Sequence, residues 1–524
     1  MRLSQWLRAA AAATFFLSVF QAELSAEPPH VYALVGGTVH PVSSPPLPNG
    51  TVVVRNGLIE AVGAGIRVPA DAVLVDTTGA QVYPALFNAQ SAVGIPAVPK
   101  EDSSAGKDPG AASLAAAKLS LAPDALDSWR GAGVGTLLSA QKGGNFQGGS
   151  VIFNLGEAPL EQLVLRSPGS IQFSFATRSW GTYPDSLMGA IHLARQSMLD
   201  AAWLVEARGS YEREPRGKRR PESNPDLEAL AGVLRREMPL VLLADDEVRI
   251  RAAAEIGREH KLRWIVSGAA EAWELADFLA EAGGAVLVSV DWPRPPTIAP
   301  EDQPLRAVRK RVLAPTGPAE LAARGVPFAL VSGANLGAKE YLAGIRRAIE
   351  EGLAEDVALR AVTLAPAQMF GLERQIGSIE SGKIANLLVT EGKFWEREAK
   401  VRNLFVDGRQ MRIVAPSDAE ESPLSAEGSW DLSVRLPEGE VALRLDLTQQ
   451  GERVSGSFSG DRGSGSIGEG TAEGNRIRFS LAAQASPSGE MSEWRFEGTI
   501  TGNSMEGSVT SSLGTFDFNG RRPE

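Results

Sequence analysis

The strongest constraint on the fold is a repeated alternation of short apolar runs with amphipathic stretches. VGTLLSA, PLVLLAD, LRWIVSG, GAVLVSV and PFALVSG recur between residues 134 and 333, separated by segments such as VRIRAAAEIGREH and AAEAWELADFLAEAG. Strand, helix, strand in that order predicts right-handed βαβ units and a parallel sheet. Where such a sheet closes into a barrel, the chemistry belongs at the C-terminal ends of the strands.

The flanks have a different texture. In TVVVRNGLIEAV, alternating apolar residues surround Asn56-Gly57, a dipeptide suited to the positive φ angles of a tight type I′ turn, so an antiparallel hairpin is expected there. Residues 415–429, APSDAEESPLSAEGS, are polar, acidic and Pro-containing and read as a linker. Beyond them SWDLSVRL, EVALRLDLTQ, RVSGSFSG, RIRFSLAA and EWRFEGTI alternate apolar and polar residues between Gly-rich turns, the pattern of a small antiparallel barrel or sandwich over 430–524. At the other end, Arg2 and Arg8, an apolar stretch from Ala9 to Phe20 and the small residues Ser25 and Ala26 read as a secretory signal peptide over 1–26. A periplasmic or secreted protein without a membrane anchor is expected.

One motif narrows the class. Residues 82–94, VYPALFNAQSAVG, resemble the first barrel strand of the amidohydrolase superfamily, whose pattern is close to v-x-P-G-L-I-D-x-H-x-H-x-G; Pro84, Leu86, Ala89 and Gly94 keep the frame. Upstream, VYALVGGTVHPV and VLVDTTGAQVYPA resemble the small β-sandwich of imidazolonepropionase-like members. Downstream, AVTLAPAQMFGLERQIGSIESGKIANLLVTEG and VRNLFVDGRQ resemble the last barrel helix and the returning sandwich strands. Residues 143–156 and 188–202 are similar to a loop and a long helix of a secreted branch of that family. The implied fold class is α/β: a (β/α)8 TIM-like barrel over 84–375, a composite β-sandwich from 27–83 and 376–414, and the C-terminal all-β domain.

The same resemblance implies a metal site whose ligands are missing. Gln90 and Ala92 stand where the paired histidines belong, Leu243 and Ser267 at two further histidine positions, and Gly333 at the position of the aspartate that ligates metal and shuttles protons. Asn88 takes the Asp position and Ala85 the Gly position of the first motif. A borderline cation such as zinc wants imidazole, carboxylate or thiolate, which none of the five supplies. The chain has 4 histidines and 0 cysteines. His30, His40, His192 and His260 have no metal-site spacing, and no G-x-S-x-G elbow activates a serine. The resemblance therefore points to a pseudoenzyme with no cofactor, binding a small molecule or pairing with a second copy or an intact relative. The alternative is a hydrolase of carbon–nitrogen bonds with an atypical metal site, zinc or another divalent ion, or with none.

Carboxylates keep that alternative open. Asp245, Asp246 and Asp291 follow predicted strands and are the candidate catalytic acids. The competing reading is that Asp245 or Asp246 caps the helix beginning EVRIRAAAEIG. Lys142 and Asn145, beside GGNFQGG, either contact an anion or belong to a flexible loop. Trp430 and Trp494 either stack on a sugar or plug the core of the β domain. The basic run YEREPRGKRRPES at 211–223 is a solvated insertion or a docking loop, and residues 98–113 read as a surface loop. With Lys+Arg 52 against Asp+Glu 63, a net charge of −11 argues against nucleic acid as a partner.

Overall fold

A computed structural model describes residues 31–96, 110–121, 123–178, 181–293, 304–334, 336–413, 426–436, 439–450, 453–461, 463–473, 476–484, 491–501, 504–511 and 514–522. The leader read at 1–26, His30, most of the 98–113 loop and most of the 415–429 linker lie outside the described residues. The chain forms two compact units, Met1–Ala415 and Pro416–Glu524.

Strands are numbered in chain order. The small sandwich is built on one eight-stranded sheet made from both flanks of the barrel. β1 (Val31–Val39), β2 (Leu47–Arg55), β3 (Leu58–Ala64), β4 (Val73–Asp76) and β5 (Gln81–Pro84) precede the barrel; β16 (Leu387–Glu391), β17 (Lys400–Val406) and β18 (Arg409–Met411) follow it. The order is β18-β17-β16-β5-β1-β2-β3, with β4 beside β1, and β16 runs antiparallel to β5 with Leu387 opposite Pro84. Leu34, Val52, Val54, Val82, Leu387, Val389 and Phe405 from both flanks share one buried core. Asn56 and Gly57 have φ of 51° and 83°, as the hairpin between β2 and β3 demands.

The barrel wall comprises β6 (Leu86–Ser91), β7 (Val134–Ser139), β8 (Phe146–Gly149), β9 (Val151–Asn154), β11 (Ile171–Ser174), β12 (Leu240–Ala244), β13 (Trp264–Gly268), β14 (Ala285–Ser289) and β15 (Phe328–Val331); short β10 (Val164–Arg166) pairs with β9 outside it. β6 and β7 are parallel, as are β11 to β15 in turn. The third stave departs from the expected all-parallel pattern: β9 is antiparallel to β7, and β8, one residue earlier on the same run, is antiparallel to β11. GGNFQGG is accordingly not a free loop, since Phe146 to Gly149 are buried in the wall. Its glycines serve close approach: a Cβ at Gly148 would lie 2.2 Å from the Ser113 carbonyl oxygen.

Among the described residues no ladder joins β15 to β6. That seam is closed by Asn88, whose Oδ1 accepts from the Ser332 N–H at 3.1 Å and whose Nδ2 donates to Ser332 Oγ at 2.8 Å. Phe87, Ala89, Leu138, Ile152, Val241, Ile265, Leu287, Ala329 and Val331 pack together in the buried interior.

The second unit is a closed antiparallel barrel of β19 (Gly428–Leu436), β20 (Gly439–Gln450), β21 (Arg453–Gly460), β22 (Gly463–Glu473), β23 (Arg476–Gln484), β24 (Met491–Thr501), β25 (Ser504–Ser511) and β26 (Gly514–Arg521), each paired with its neighbour and β26 with β19. Closure leaves no open sheet edge. Trp430 and Trp494 are both 0% exposed inside it, and Trp430 Nε1 donates to the Ala426 carbonyl at 2.8 Å. Neither presents a face to a sugar; both fill the core.

Candidate functional site

The site is built at the C-terminal mouth of the barrel. Gln90, at the end of β6, is 5% exposed and faces Gln172 of β11; each amide nitrogen lies 3.4 Å from the other's oxygen. Two staves stand between β6 and β11 in the wall, so this pair spans the barrel interior. Gln172 Nε2 also donates to Ser170 Oγ at 3.1 Å, and Ser170 is 2.7 Å from Ser150 Oγ. Three buried staves are thus tied by neutral amides and hydroxyls.

Above that layer lies a cavity of about 510 Å3, lined among others by Ser91, Ala92, Lys142, Gly333 and Leu336. Two of the five positions, Ala92 and Gly333, meet there. Leu243 and Ser267 are directly opposite each other on β12 and β13, two residues beyond the interior pair Val241 and Ile265, and neither lines the cavity. Gln90 lies outside it as well.

The donor set does not fit the family's metal. An amide, a methyl, an isobutyl, a hydroxyl and a hydrogen occupy the five positions, whereas zinc is held by imidazole, thiolate and carboxylate. Among the described residues no group of three or more His, Cys, Asp or Glu is gathered to hold an ion. His40 stacks on Tyr83 in the small sandwich and shares a 2.7 Å hydrogen bond with Gln81; His192 is exposed on its helix, and His260 ends the helix Glu247–Glu259.

The candidate carboxylates have separate fates. Asp246 is the N-cap of the helix Glu247–Glu259, accepting from the Arg249 N–H at 2.9 Å and pairing with the Arg249 guanidinium. Asp291 is exposed, and its own N–H donates to Ser289 Oγ. Asp245 reaches solvent at the rim, yet desolvation by the surrounding protein raises its carboxyl above the ordinary range; Lys310 opposes this, and Asp246 and Glu271 add to it. Its Oδ1 would lie 2.1 Å from a Cβ on Gly268, the residue after Ser267.

Lys142 Nζ donates to the Ala334 carbonyl at 2.9 Å, tying one rim of the cavity to the other. Asn145 is 1% exposed and spends its amide on the carbonyls of Ser174 and Ala176, which makes it a brace between staves and not an anion contact.

Residue patterns alone do not reveal Gln172, Ser332 or Glu271, each of which matters here. Glu271 is 4% exposed; burial would raise its carboxyl, but Arg306 and the Glu247 N–H outweigh that and hold it below the ordinary range. A polar residue inside the apolar run IQFSF is the only sequence signal for Gln172. Ser332 and Glu271 have none.

Residues 317–411 match the amidohydrolase family. That segment includes β15, Gly333 and the strands that return to the sandwich, and it excludes residues 82–94. A stretch of 96 residues is 38% identical to adenine deaminase 3 of Rhizobium meliloti (strain 1021), covering 18% of this chain and only 16% of that protein. Among solved structures, an amidohydrolase from Thermotoga maritima MSB8 shares the fold with a TM-score of 0.63 at 24% identity, over 73% of this chain and 99% of the Thermotoga chain. The family match is confined to residues 317–411, at the end of the barrel and in the returning sandwich strands, and the Thermotoga structure shows that the architecture around them is an amidohydrolase fold.

Proposed function

We propose that this protein is an exported amidohydrolase-fold binding protein that holds a small molecule at the barrel mouth without metal-dependent hydrolysis. The observation that carries it is the pairing of Gln90 with Gln172 across the interior beneath a cavity that Ala92 and Gly333 line with no ligating side chain. The cavity's 510 Å3 lies within the ordinary range for small-molecule sites. The leader-like composition of residues 1–26 supports export as the setting. The test is elemental analysis of protein purified without chelator. Less than about 0.2 equivalents of zinc, iron, manganese or nickel is expected, because a catalytic zinc generally requires three protein ligands. Stoichiometric metal that survives dialysis overturns the reading.

A second reading, hydrolysis of a carbon–nitrogen bond, is favoured by Asp245, a carboxyl with raised proton affinity that lies against Gly268 at the end of β13. Since the curated relative is an adenine deaminase, adenine is the natural probe. This reading requires ammonia release from adenine by the purified protein, lost in Asp245→Asn. No release, or release that Asp245→Asn leaves intact, removes it.

A further inference from the structure

A second cavity, of about 630 Å3, opens at the other end of the barrel, where β12 to β15 begin. Leu262, Trp264, Val326, Phe328 and Met369 give it apolar walls. Arg236, Arg263 and Arg360 line the same space. Among the described residues none of these three guanidiniums forms an ion pair, in contrast to Arg55, Arg195, Arg306 and Arg324, each of which meets a carboxylate.

Two of the three, Arg263 and Arg360, are positioned without being neutralised. Arg263 Nη2 donates to the Met369 carbonyl at 3.1 Å, and Arg360 Nη2 to Gln368 Oε1 at 2.9 Å. Arg166, nearby, donates to the Phe370 carbonyl at 2.6 Å. Burial lowers the proton affinity of Arg263, and the like charges of Arg166 and Arg236 lower it further, against a smaller opposing effect of Glu373. Carbonyl oxygens orient a guanidinium but leave its charge uncompensated, and forked N–H donors of this kind match a carboxylate or phosphate.

We propose that this cavity binds a small organic anion, a carboxylate or phosphate carrying an apolar body, with the head group on Arg236, Arg263 and Arg360 and the body against Trp264 and Phe328. The charge disfavours a cation, and a neutral ligand would leave the guanidiniums without a counter-ion. The site is separate from the mouth, because it lies at the N-terminal ends of strands whose C-terminal ends form the mouth.

Isothermal titration of the full chain at low salt, with octanoate and octyl phosphate as probes and octanol as the uncharged control, tests this. At least one anion should bind with a single equivalent, with octanol at least about tenfold weaker; whichever anion binds more tightly assigns the head group. Arg236→Gln with Arg263→Gln should weaken the anion by about tenfold or more, as loss of charge-assisted bonds predicts. Arg219→Gln, in the exposed basic loop, should leave it unchanged. Arg263 also braces the Met369 carbonyl, so Arg236→Gln alone, expected to weaken binding about threefold or more, keeps the test decisive if the double variant does not fold. Absence of binding by both anions, octanol binding as tightly as they do, or affinity unchanged in the Arg236→Gln proteins overturns the proposal.

Discussion

At the residue scale, the junction between barrel and small sandwich rests on one polar cluster. Asn154 Nδ2 donates to Asp407 Oδ1 at 2.6 Å, Thr136 Oγ1 and Asn386 Nδ2 donate to Asn154 Oδ1, and the Asp407 N–H donates to Asn386 Oδ1. Burial pushes the Asp407 carboxyl above the ordinary range, with Asn154 and Arg409 pulling the other way. A carboxyl that binds its proton more tightly folded than unfolded costs stability as pH rises through the ordinary aspartate range to the folded value, and the cost persists above it. Asp407→Asn keeps the Oδ1 acceptor and removes that cost. Its melting temperature should exceed the parent's at about pH 7, and the gap should close by about pH 3; a gap independent of pH contradicts the assignment. The mouth residues make a second prediction. Gln90→His, Ala92→His, Leu243→His, Ser267→His and Gly333→Asp combined should bind about one equivalent of zinc in a competition titration before any turnover returns, because ligand orientation depends on surrounding hydrogen bonds that Gln172 and Ser332 now direct elsewhere. If the combined variant takes up no zinc, the five positions are misplaced.

At the element scale, the strands that open the barrel floor are set by one aromatic wedge. Trp264, first residue of β13, is 6% exposed, and a Cβ at Gly284 would lie 2.1 Å from its ring; one at Gly257 would lie 2.2 Å away. Gly284→Ala should therefore destabilise by roughly 1–3 kcal/mol, the usual range for overpacking. Chemical denaturation should show the loss, and adding Trp264→Leu should recover part of it, since residues in contact couple. If the pair is simply additive, Trp264 does not set this packing. The third stave carries the opposite lesson. PLVLLAD and GAVLVSV announce themselves as strands through continuous apolar runs, whereas NFQGG looks like a loop; its burial depends on Ser113 and β11, neither of them adjacent in sequence.

At the scale of the whole molecule, the composite sheet couples the two ends of the first unit. A chain ending at about residue 416 retains every strand of that sheet and should stay folded and soluble with a cooperative thermal melt. A chain ending at residue 371 loses β16 to β18, uncovers the edge of β5 and removes Leu387, Val389 and Phe405 from the core they share with Leu34, Val52 and Val82. It should aggregate. Size-exclusion chromatography of both checks this, and a monomeric, cooperatively melting shorter chain would refute the coupling.

The sequence by itself determined what is encoded locally. Periodicity set the βαβ order, Asn56-Gly57 set its turn, the alternation beyond residue 429 set an antiparallel domain, and Gln90, Ala92, Leu243, Ser267 and Gly333 offer no imidazole, thiolate or carboxylate whatever the fold does with them. Tertiary structure alone decided which of those positions meet. Ala92 and Gly333 share a cavity while Gln90 turns to Gln172, a partner 82 positions away, and Ser332 closes the barrel against Asn88 across 244. The same holds for Arg236, Arg263 and Arg360, which no spacing rule groups. Hydrogen-bond partners and uncompensated charges are properties of distance in space, and only closure of the barrel brings these side chains within it.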